Sequence, residues 1–203
     1  MKLTKSYFRD NDVLWLSYNL LGKIIFTNID SNITAGIITE TEAYNGINDK
    51  ACHAYGGRYT RRTSVMFEAG GVVYIYLCYG IHSLTNIVTG EKDNPQAVLI
   101  RYIIPYMGKE IMMQRFRMSK QNEKELDGPG KVSKALGIDF TYSGKSLEGN
   151  HIWVEDRGIR INKRDILKSS RIGIDYAEED KKLPYRFYLH DNAVIELRGI
   201  VFE

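Results

Sequence analysis

The chain has 203 residues, a length that fits one globular domain with a sizeable hydrophobic core. Hydrophobic residues make up 43% of the sequence and charged residues 26%, a composition that excludes a disordered, collagen-like or coiled-coil protein. The formal net charge of +3 is a mild excess, and alone it does not identify a nucleic-acid-binding protein.

The first half of the chain combines one predicted helix with several predicted strands. Residues 10–21 have the apolar spacing of a helix, with Asp10 or Asn11 as its N-cap and Gly22 at its end. Segments rich in Val, Ile, Thr and Tyr then predict five strands, at 23–26, 36–44, 72–79, 81–88 and 97–104.

The second half returns to helical spacing over 108–118, and Pro129 can begin a short helix that Gly137 ends. Strand-like pieces follow at 152–154, 186–189 and 193–197. Long crossover helices between the central strands are absent, which argues against a doubly wound parallel sheet. We therefore predict a mixed α/β (α+β) fold over 1–203, a single domain with a curved, mostly antiparallel β-sheet flanked by several helices.

Cysteine content and hydropathy predict a cytoplasmic protein without a membrane partner. Cys52 and Cys78 are too few for a disulfide framework, so we expect two reduced thiols. The longest apolar run, 70–81, is well short of the roughly 20 residues that span a bilayer. Charged residues interrupt the N-terminal segment before an apolar run develops, unlike in a signal peptide.

The segment TETEAY at 39–44 places acidic and aromatic side chains on one face of a predicted strand. Alternate residues of a strand share a face, so Glu40, Glu42 and Tyr44 would line up together. An exposed polar face explains the pattern without function. The functional interpretation is a carboxylate base beside an aromatic ring.

Residues 70–89 have the pattern of one hairpin with Gly80 in the turn. If the turn centres near residue 81, Tyr76 faces Asn86 across the ladder and Tyr79 lies at the tip. A tip tyrosine is badly placed for a core and well placed to insert into a partner, although it could also pack on a neighbouring loop.

Arg101 lies in AVLIRYIIP, a strand that is otherwise almost entirely apolar. A buried guanidinium needs a partner, because an unpaired buried charge is very costly. The sequence leaves open whether Arg101 forms a structural salt bridge, pairs with a catalytic carboxylate or binds a phosphate.

Basic residues cluster in two islands that suit a polyanion, or that simply form solvated faces. The first island is Arg58, Arg61 and Arg62, and the second is Lys163, Arg164, Lys168 and Arg171. The four histidines lack zinc-site spacing, and the segment DGPGKVS at 127–133 departs from a phosphate-binding loop. No metal and no cofactor are predicted.

Seven segments of the chain, in collinear order, carry a family resemblance. They are ETEAY at 40–44, ACHAYGGRYTRR at 51–62, MFEAGGVVYIYLCYG at 66–80, VLIR at 98–101, GPGKVSKALGI at 128–138, RIGI at 171–174 and PYRFYL at 184–189. Together with Asn86 they resemble the alkyladenine (3-methyladenine, methylpurine) DNA glycosylase family over almost the whole chain. That family implies a single mixed α/β domain with a curved antiparallel sheet.

The resemblance implies a role for each matched residue. Glu42 corresponds to the carboxylate that activates water, Arg101 helps to position it, and the carbonyl of Ile172 holds the same water. The residues implied for the base pocket are Tyr44, His53, Tyr76 and Asn86. Tyr79 corresponds to the tyrosine that fills the gap left by the flipped nucleotide, and the looser candidates for phosphate contacts are Thr60, Arg61 and Lys131.

The function that follows is excision of alkylated or deaminated purines from double-stranded DNA by a monofunctional, monomeric glycosylase. His82 stands near the wedge where relatives carry another aromatic residue, which leaves base preference open. Two alternatives remain at this stage: a non-catalytic nucleic-acid-binding module on a similar sheet, and a hydrolase of free nucleosides.

Overall fold

Eight antiparallel strands form one sheet in the computed structural model, which describes residues 1–116 and 128–199. The strands are β1 (Ile24–Ile29), β2 (Asn32–Tyr44), β3 (Val73–Cys78), β4 (His82–Thr89), β5 (Gln96–Met107), β6 (Ile152–Glu155), β7 (Ile166–Ser169) and β8 (Arg186–Leu189). The helices are α1 (Lys5–Phe8), α2 (Val13–Asn19), α3 (Lys109–Arg115), α4 (Pro129–Leu136) and α5 (Asp191–Arg198). The predicted mixed α/β fold with a mostly antiparallel sheet is confirmed.

Strand β2 is the centre of the sheet. The main strand order is β3-β4-β5-β2-β1-β6, and β8 pairs with both β2 and β7. The first half of β2 pairs with β1, and Glu40–Glu42 pair with β8 on the same edge. The other edge of β2 pairs with β5, so β2 forms backbone hydrogen bonds with three neighbouring strands.

Irregular pairing between β2 and β5 curves the sheet. The register shifts near Gly36 and on both sides of Glu40, as β-bulges do when they bend a strand. Gly36 packs directly on Ile103, where an added Cβ would lie 2.5 Å from the Ile103 Cδ1 atom. Only glycine allows this close approach of the two strands.

The hydrophobic core lies between the sheet and its helices. Helix α2 packs on β2 through buried Leu16, and α4 packs on β4 and β5 through buried Val132 and Leu136. Within 1–116 and 128–199, no helix has the length and apolar character needed to cross a bilayer. The extent of the domain over the whole of 1–203 stays a prediction.

Three details of the predicted elements differ from the structure, and a fourth lies outside the described residues. The cap of α2 is Asp12, whose carboxylate accepts from the amides of Leu14 and Trp15, and not Asp10 or Asn11. The predicted strand at 193–197 is wrong, because those residues form α5. Strand β7 was not predicted, and the end of the predicted helix at 108–118 falls at 117–118, outside the described residues.

The pairing of β3 with β4 also corrects the predicted register. Tyr74 pairs with Asn86 and Tyr76 pairs with Leu84, so the turn centres on Gly80 and not on residue 81. The correction moves the pairing by two residues. The tyrosines therefore stay on the predicted face of the hairpin, because side chains alternate with period two.

Candidate active site

A cavity of about 250 Å³ opens between the β3–β4 hairpin, β5 and the loop that follows β7. Its volume is slightly below the roughly 300–1,000 Å³ typical of drug-sized ligands, which suits one small ring system. Its lining brings together most of the predicted site residues: Tyr44, His53, Tyr76, Tyr79, Asn86, Arg101 and Ile172. Tyr74 and Tyr176 also line it and were not predicted.

Glu42 lies directly behind this lining with no exposed side-chain surface. Its Oε1 atom accepts a hydrogen bond from the Ile172 amide at 2.8 Å, and its Oε2 atom accepts one from the Tyr44 hydroxyl at 2.9 Å. The Arg101 Nη1 atom lies 3.4 Å from Oε1. Two hydrogen-bond donors and one guanidinium thus hold one buried carboxylate.

The environment of Glu42 works on its pKa in two directions. Burial disfavours the charged form and is the largest effect, so the pKa of Glu42 is raised. Arg101, the Ile172 amide and the Tyr44 hydroxyl oppose this by stabilising the carboxylate. Burial also raises the pKa of Tyr44 well above its usual value, which keeps that hydroxyl protonated as a donor.

Arg101 bridges the two acidic residues of β2. Its Nε atom donates to the Glu40 Oε1 atom at 2.9 Å, while its Nη1 atom faces Glu42. Arg186 on β8 donates to the same Glu40 oxygen at 3.0 Å. Arg101 therefore forms a salt bridge with Glu40 and also contacts Glu42, the candidate catalytic carboxylate. Two of the three alternatives that the sequence left open for Arg101 thus hold together.

Ile172 contacts Glu42 through its backbone. The contact given by the structure is the amide N–H, whereas the resemblance implied a role for the carbonyl. The role of that carbonyl stays a prediction. The side chain of Ile172 is half-exposed at the wall of the cavity.

Arg171 corrects the interpretation of the second basic island as a polyanion footprint. Its side chain is buried, and its two terminal nitrogens both donate to the carboxylate of Asp49, with a further hydrogen bond to the Ala43 carbonyl. The guanidinium lies 4.9 Å from the centre of the Tyr44 ring. Sequence reasoning missed this pair, because an arginine among other basic residues carries no sign that it is buried.

His53, Tyr74 and Tyr76 contact one another and form a second part of the cavity wall. The Tyr74 hydroxyl lies 2.9 Å from His53 Nδ1, and the His53 ring meets Tyr76 edge-on with centroids 4.6 Å apart. Burial, followed by the charges of Arg62 and Arg58, lowers the pKa of His53 to about 4. His53 is therefore neutral at physiological pH.

Asn86 is buried at the wall of the cavity in a fixed orientation. Its Nδ2 atom donates to the carbonyls of Tyr74 at 3.1 Å and Leu84 at 3.2 Å. Both amide hydrogens are used in this way, which leaves Oδ1 as the remaining polar atom of the side chain. Its contact with a base stays a prediction.

Tyr79 lies at the tip of the hairpin and is 93% exposed. Its φ of +51° is in the left-handed region, which is unfavourable for a residue other than glycine. Gly130 of α4 lies against His82, so the beginning of α4 supports the hairpin from below. The Tyr79 side chain is thus exposed to solvent at a turn whose hairpin packs against the beginning of α4.

The candidates for phosphate contacts lie in two separate segments, the loop before residue 64 and the first turn of α4. Thr60 and Arg61 belong to the loop before the short 3-10 turn at Ser64–Phe67, and the Thr60 and Thr63 hydroxyls are 3.0 Å apart. Lys131 is exposed in the first turn of α4, next to the hairpin support. Their contacts with DNA stay predictions.

A larger groove, of about 750 Å³, lies between Arg157–Asp165 and α5. It contains none of the predicted site residues. The smaller aromatic cavity is the stronger candidate, because convergent polar groups and perturbed pKa values lie at its wall.

Comparison with known proteins gives a consistent result. Residues 7–193 match the family described as Methylpurine-DNA glycosylase (MPG). The chain is 47% identical over 190 residues to a protein of Chlamydia abortus named "Putative 3-methyladenine DNA glycosylase", covering 93% of this chain and 98% of that protein. A protein of Desulfitobacterium hafniense with the same name is 40% identical over 205 residues, covering 98% of this chain and all of that protein.

Proposed function

This chain belongs to the methylpurine-DNA glycosylase family and is a DNA glycosylase, and from that premise we propose its reaction and substrates. It flips alkylated or deaminated purines out of double-stranded DNA and hydrolyses the N-glycosidic bond with a water activated by Glu42. The substrate class is 3-methyladenine, 7-methylguanine, hypoxanthine and ethenoadenine. The product is an abasic site and a free base.

The observation that carries this proposal is the unfilled hydrogen-bonding capacity of Glu42. A carboxylate offers about four lone-pair sites. Among the described residues, Glu42 accepts only from the Ile172 amide and the Tyr44 hydroxyl. A water gains access to these acceptor sites when the Tyr44 and Ile172 wall in front of Glu42 moves, because the carboxylate has no exposed surface in this structure. Arg101 partly offsets the effect of burial on the charge of the carboxylate.

The chemical step follows from this arrangement. The water oxygen bonds to C1′ of the deoxyribose as its proton passes to Glu42, and the electron pair of the broken bond leaves with the base. A general base of this kind typically contributes about 10² to 10⁴-fold to the rate. A base that already carries a positive charge leaves without help from an acid.

The cavity suits a flipped purine. Tyr44 and Tyr76 offer aromatic faces, which attract a cationic ring by ~0.5–2 kcal/mol each. Because His53 is neutral, it does not repel such a ring. Extruding a base from the duplex costs a few kcal/mol, and insertion of exposed Tyr79 would stabilise the vacated stack.

The reaction ends without a lyase step in this proposal. A Schiff base with the sugar needs an amine, and no lysine lines the cavity in the part of the chain that the structure describes. The enzyme acts as a monomer in the cytoplasm, which like its substrate range is part of the proposal. A non-catalytic binding module would give no reason for a buried carboxylate with spare acceptor sites.

The test uses duplexes that each carry one of the four modified bases, treated with protein in chelator and then with alkali. We expect a nick only after alkali and no adduct trapped by borohydride. Glu42→Gln should lose about 10² to 10⁴-fold in rate while duplex binding is retained. The matched control is Glu91→Gln, which changes an exposed glutamate away from the cavity and should leave the rate unchanged.

Two results would contradict the proposal. A borohydride-trapped adduct would show a lyase step. Full activity of Glu42→Gln would remove the assigned role of this carboxylate, whichever bases the wild-type protein excises.

A further inference from the structure

Arg62 lies against the back of the base-pocket wall. Its Nη2 atom is 2.9 Å from His53 Nε2, and its Nε atom donates to the Tyr74 hydroxyl at 3.3 Å. Its guanidinium lies 4.8 Å from the centre of the Tyr76 ring. One arginine therefore contacts all three aromatic residues of this wall.

The guanidinium of Arg62 does not itself line the cavity, whereas His53, Tyr74 and Tyr76 do. A base that enters can therefore contact this wall without displacing Arg62. The rings of His53, Tyr74 and Tyr76 would then lie between the base and the positive charge of Arg62, a residue that is otherwise exposed to solvent.

The charge of Arg62 has no counter-charge at the wall. Within residues 1–116 and 128–199, no carboxylate lies within 4.0 Å of its guanidinium. Arg171, which stacks on Tyr44, is neutralised by two hydrogen bonds to Asp49. An arginine thus stacks on each of the two tyrosines Tyr44 and Tyr76. The arginine on Tyr44 is paired with a carboxylate, and among the described residues the arginine on Tyr76 is not.

A positive charge at this distance repels a cationic base and leaves a neutral base almost unaffected. We propose that Arg62 is a specificity-determining residue that lowers excision of permanently cationic N-alkylated purines relative to neutral purines of similar size. This inference rests on the proposed function, since it concerns which bases the same cavity accepts.

The test compares single-turnover excision of 7-methylguanine, a cation, with that of hypoxanthine, a neutral base, in the same duplex sequence. Arg62→Met keeps an unbranched side chain over Tyr76 and removes the charge. We expect the ratio of the cationic to the neutral rate to rise about threefold to tenfold over wild type.

Two further variants separate charge from shape and from DNA binding. Arg62→Lys keeps the charge and should keep the wild-type ratio. Arg61→Met removes the same charge one residue earlier, from an exposed residue for which the structure gives no contact with His53, Tyr74 or Tyr76, and should leave the ratio unchanged. Arg62→Gln replaces Arg62→Met if the latter does not fold.

The outcomes distinguish this inference from the proposed function. An unchanged or lower ratio in the neutral variants overturns the inference, and so does an equal rise in Arg62→Lys or in Arg61→Met. Loss of excision of both bases by the wild-type protein would instead contradict the proposed function.

Discussion

Two buried carboxylates of this protein, Asp49 and Glu42, each face an arginine, and yet they are hydrogen-bonded in different ways. Asp49 accepts two hydrogen bonds from Arg171 and one each from the amides of Asn45 and Ala51. Glu42 has Arg101 at 3.4 Å and accepts hydrogen bonds from two other groups.

The difference separates a structural ion pair from the carboxylate that we propose as the general base. All four acceptor sites of Asp49 are used, so this carboxylate has no capacity for a water or a substrate. Glu42 keeps part of its capacity, and Arg101 shares its donors with Glu40. Burial and an arginine partner alone would not distinguish the two sites, whereas the number of donors on each oxygen does.

The largest expected effect is the loss of stability when the ion pair of Asp49 with Arg171 is broken. Asp49→Asn leaves Arg171 buried without a counter-charge, which typically costs about 3–5 kcal/mol of the free energy of unfolding. Excision should slow as well, because Arg171 precedes the amide that holds Glu42. Urea unfolding and single-turnover excision measure the two effects.

The control for this prediction is Lys23→Met, which removes a partly exposed pair with Asp156. Such pairs contribute about 0–1 kcal/mol, so unfolding should change little. Equal destabilisation by the two variants would show that the Asp49 pair has no special structural role.

A smaller effect is expected on the pH dependence of excision. Glu42 must be ionised to accept a proton, so kcat/KM should fall as the pH drops through its raised pKa, above the ordinary value of roughly 4.3. Arg101→Met removes a charge that lowers this pKa, and the acid limb should therefore move to higher pH. A limb that stays in place would contradict the assigned coupling.

The free energy of unfolding should also depend on the protonation of Glu42, in a direction set by its raised pKa. The folded protein binds the proton of Glu42 more tightly than the unfolded chain, because the folded pKa is raised. This contribution to stability is complete below the unfolded pKa and is lost as the pH rises through the folded pKa. The stability of wild type relative to Glu42→Gln should decline over that window in urea titrations.

The smallest expected effect concerns Tyr79, which lies outside both carboxylate sites. Tyr79→Gly relieves the left-handed φ of +51°, so its free energy of unfolding should exceed that of Tyr79→Ala by about 1 kcal/mol. Both variants should lose the same affinity for duplex DNA, because both lack the ring. Equal stability of the two would show that the turn relaxes without strain.

The sequence predicted the elements that have strong local signals. The strand that carries Glu42 and the hairpin with Tyr79 at its tip follow from alternation and from Gly80. The last helix was predicted as a strand because AVIEL at 193–197 is short and contains adjacent β-branched residues, while the signal that decides is the His190 cap, whose side chain accepts from the Asn192 amide. In so short a segment, the N-cap hydrogen bond decides between helix and strand more strongly than the strand propensity of the residues.

The tertiary partners could not be read from the sequence. Arg171 and Arg62 both lie in basic islands, yet one is buried on Asp49 and the other contacts the His53 wall. Segments more than a hundred residues apart supply the donors of Glu42, and no local pattern encodes such a contact. The family resemblance identified positions, and the structure identified their partners.

The long separation of these partners has a consequence for the synthesis of the enzyme. The Ile172 amide lies 130 residues from Glu42, and Arg186 lies 146 residues from Glu40. Because contacts between distant segments form late and the N-terminal part emerges from the ribosome first, Glu42 acquires the Ile172 donor only when the last fifth of the chain has folded. A nascent or truncated chain would carry Glu42 without the Ile172 amide, so we expect base excision only once the whole fold has formed.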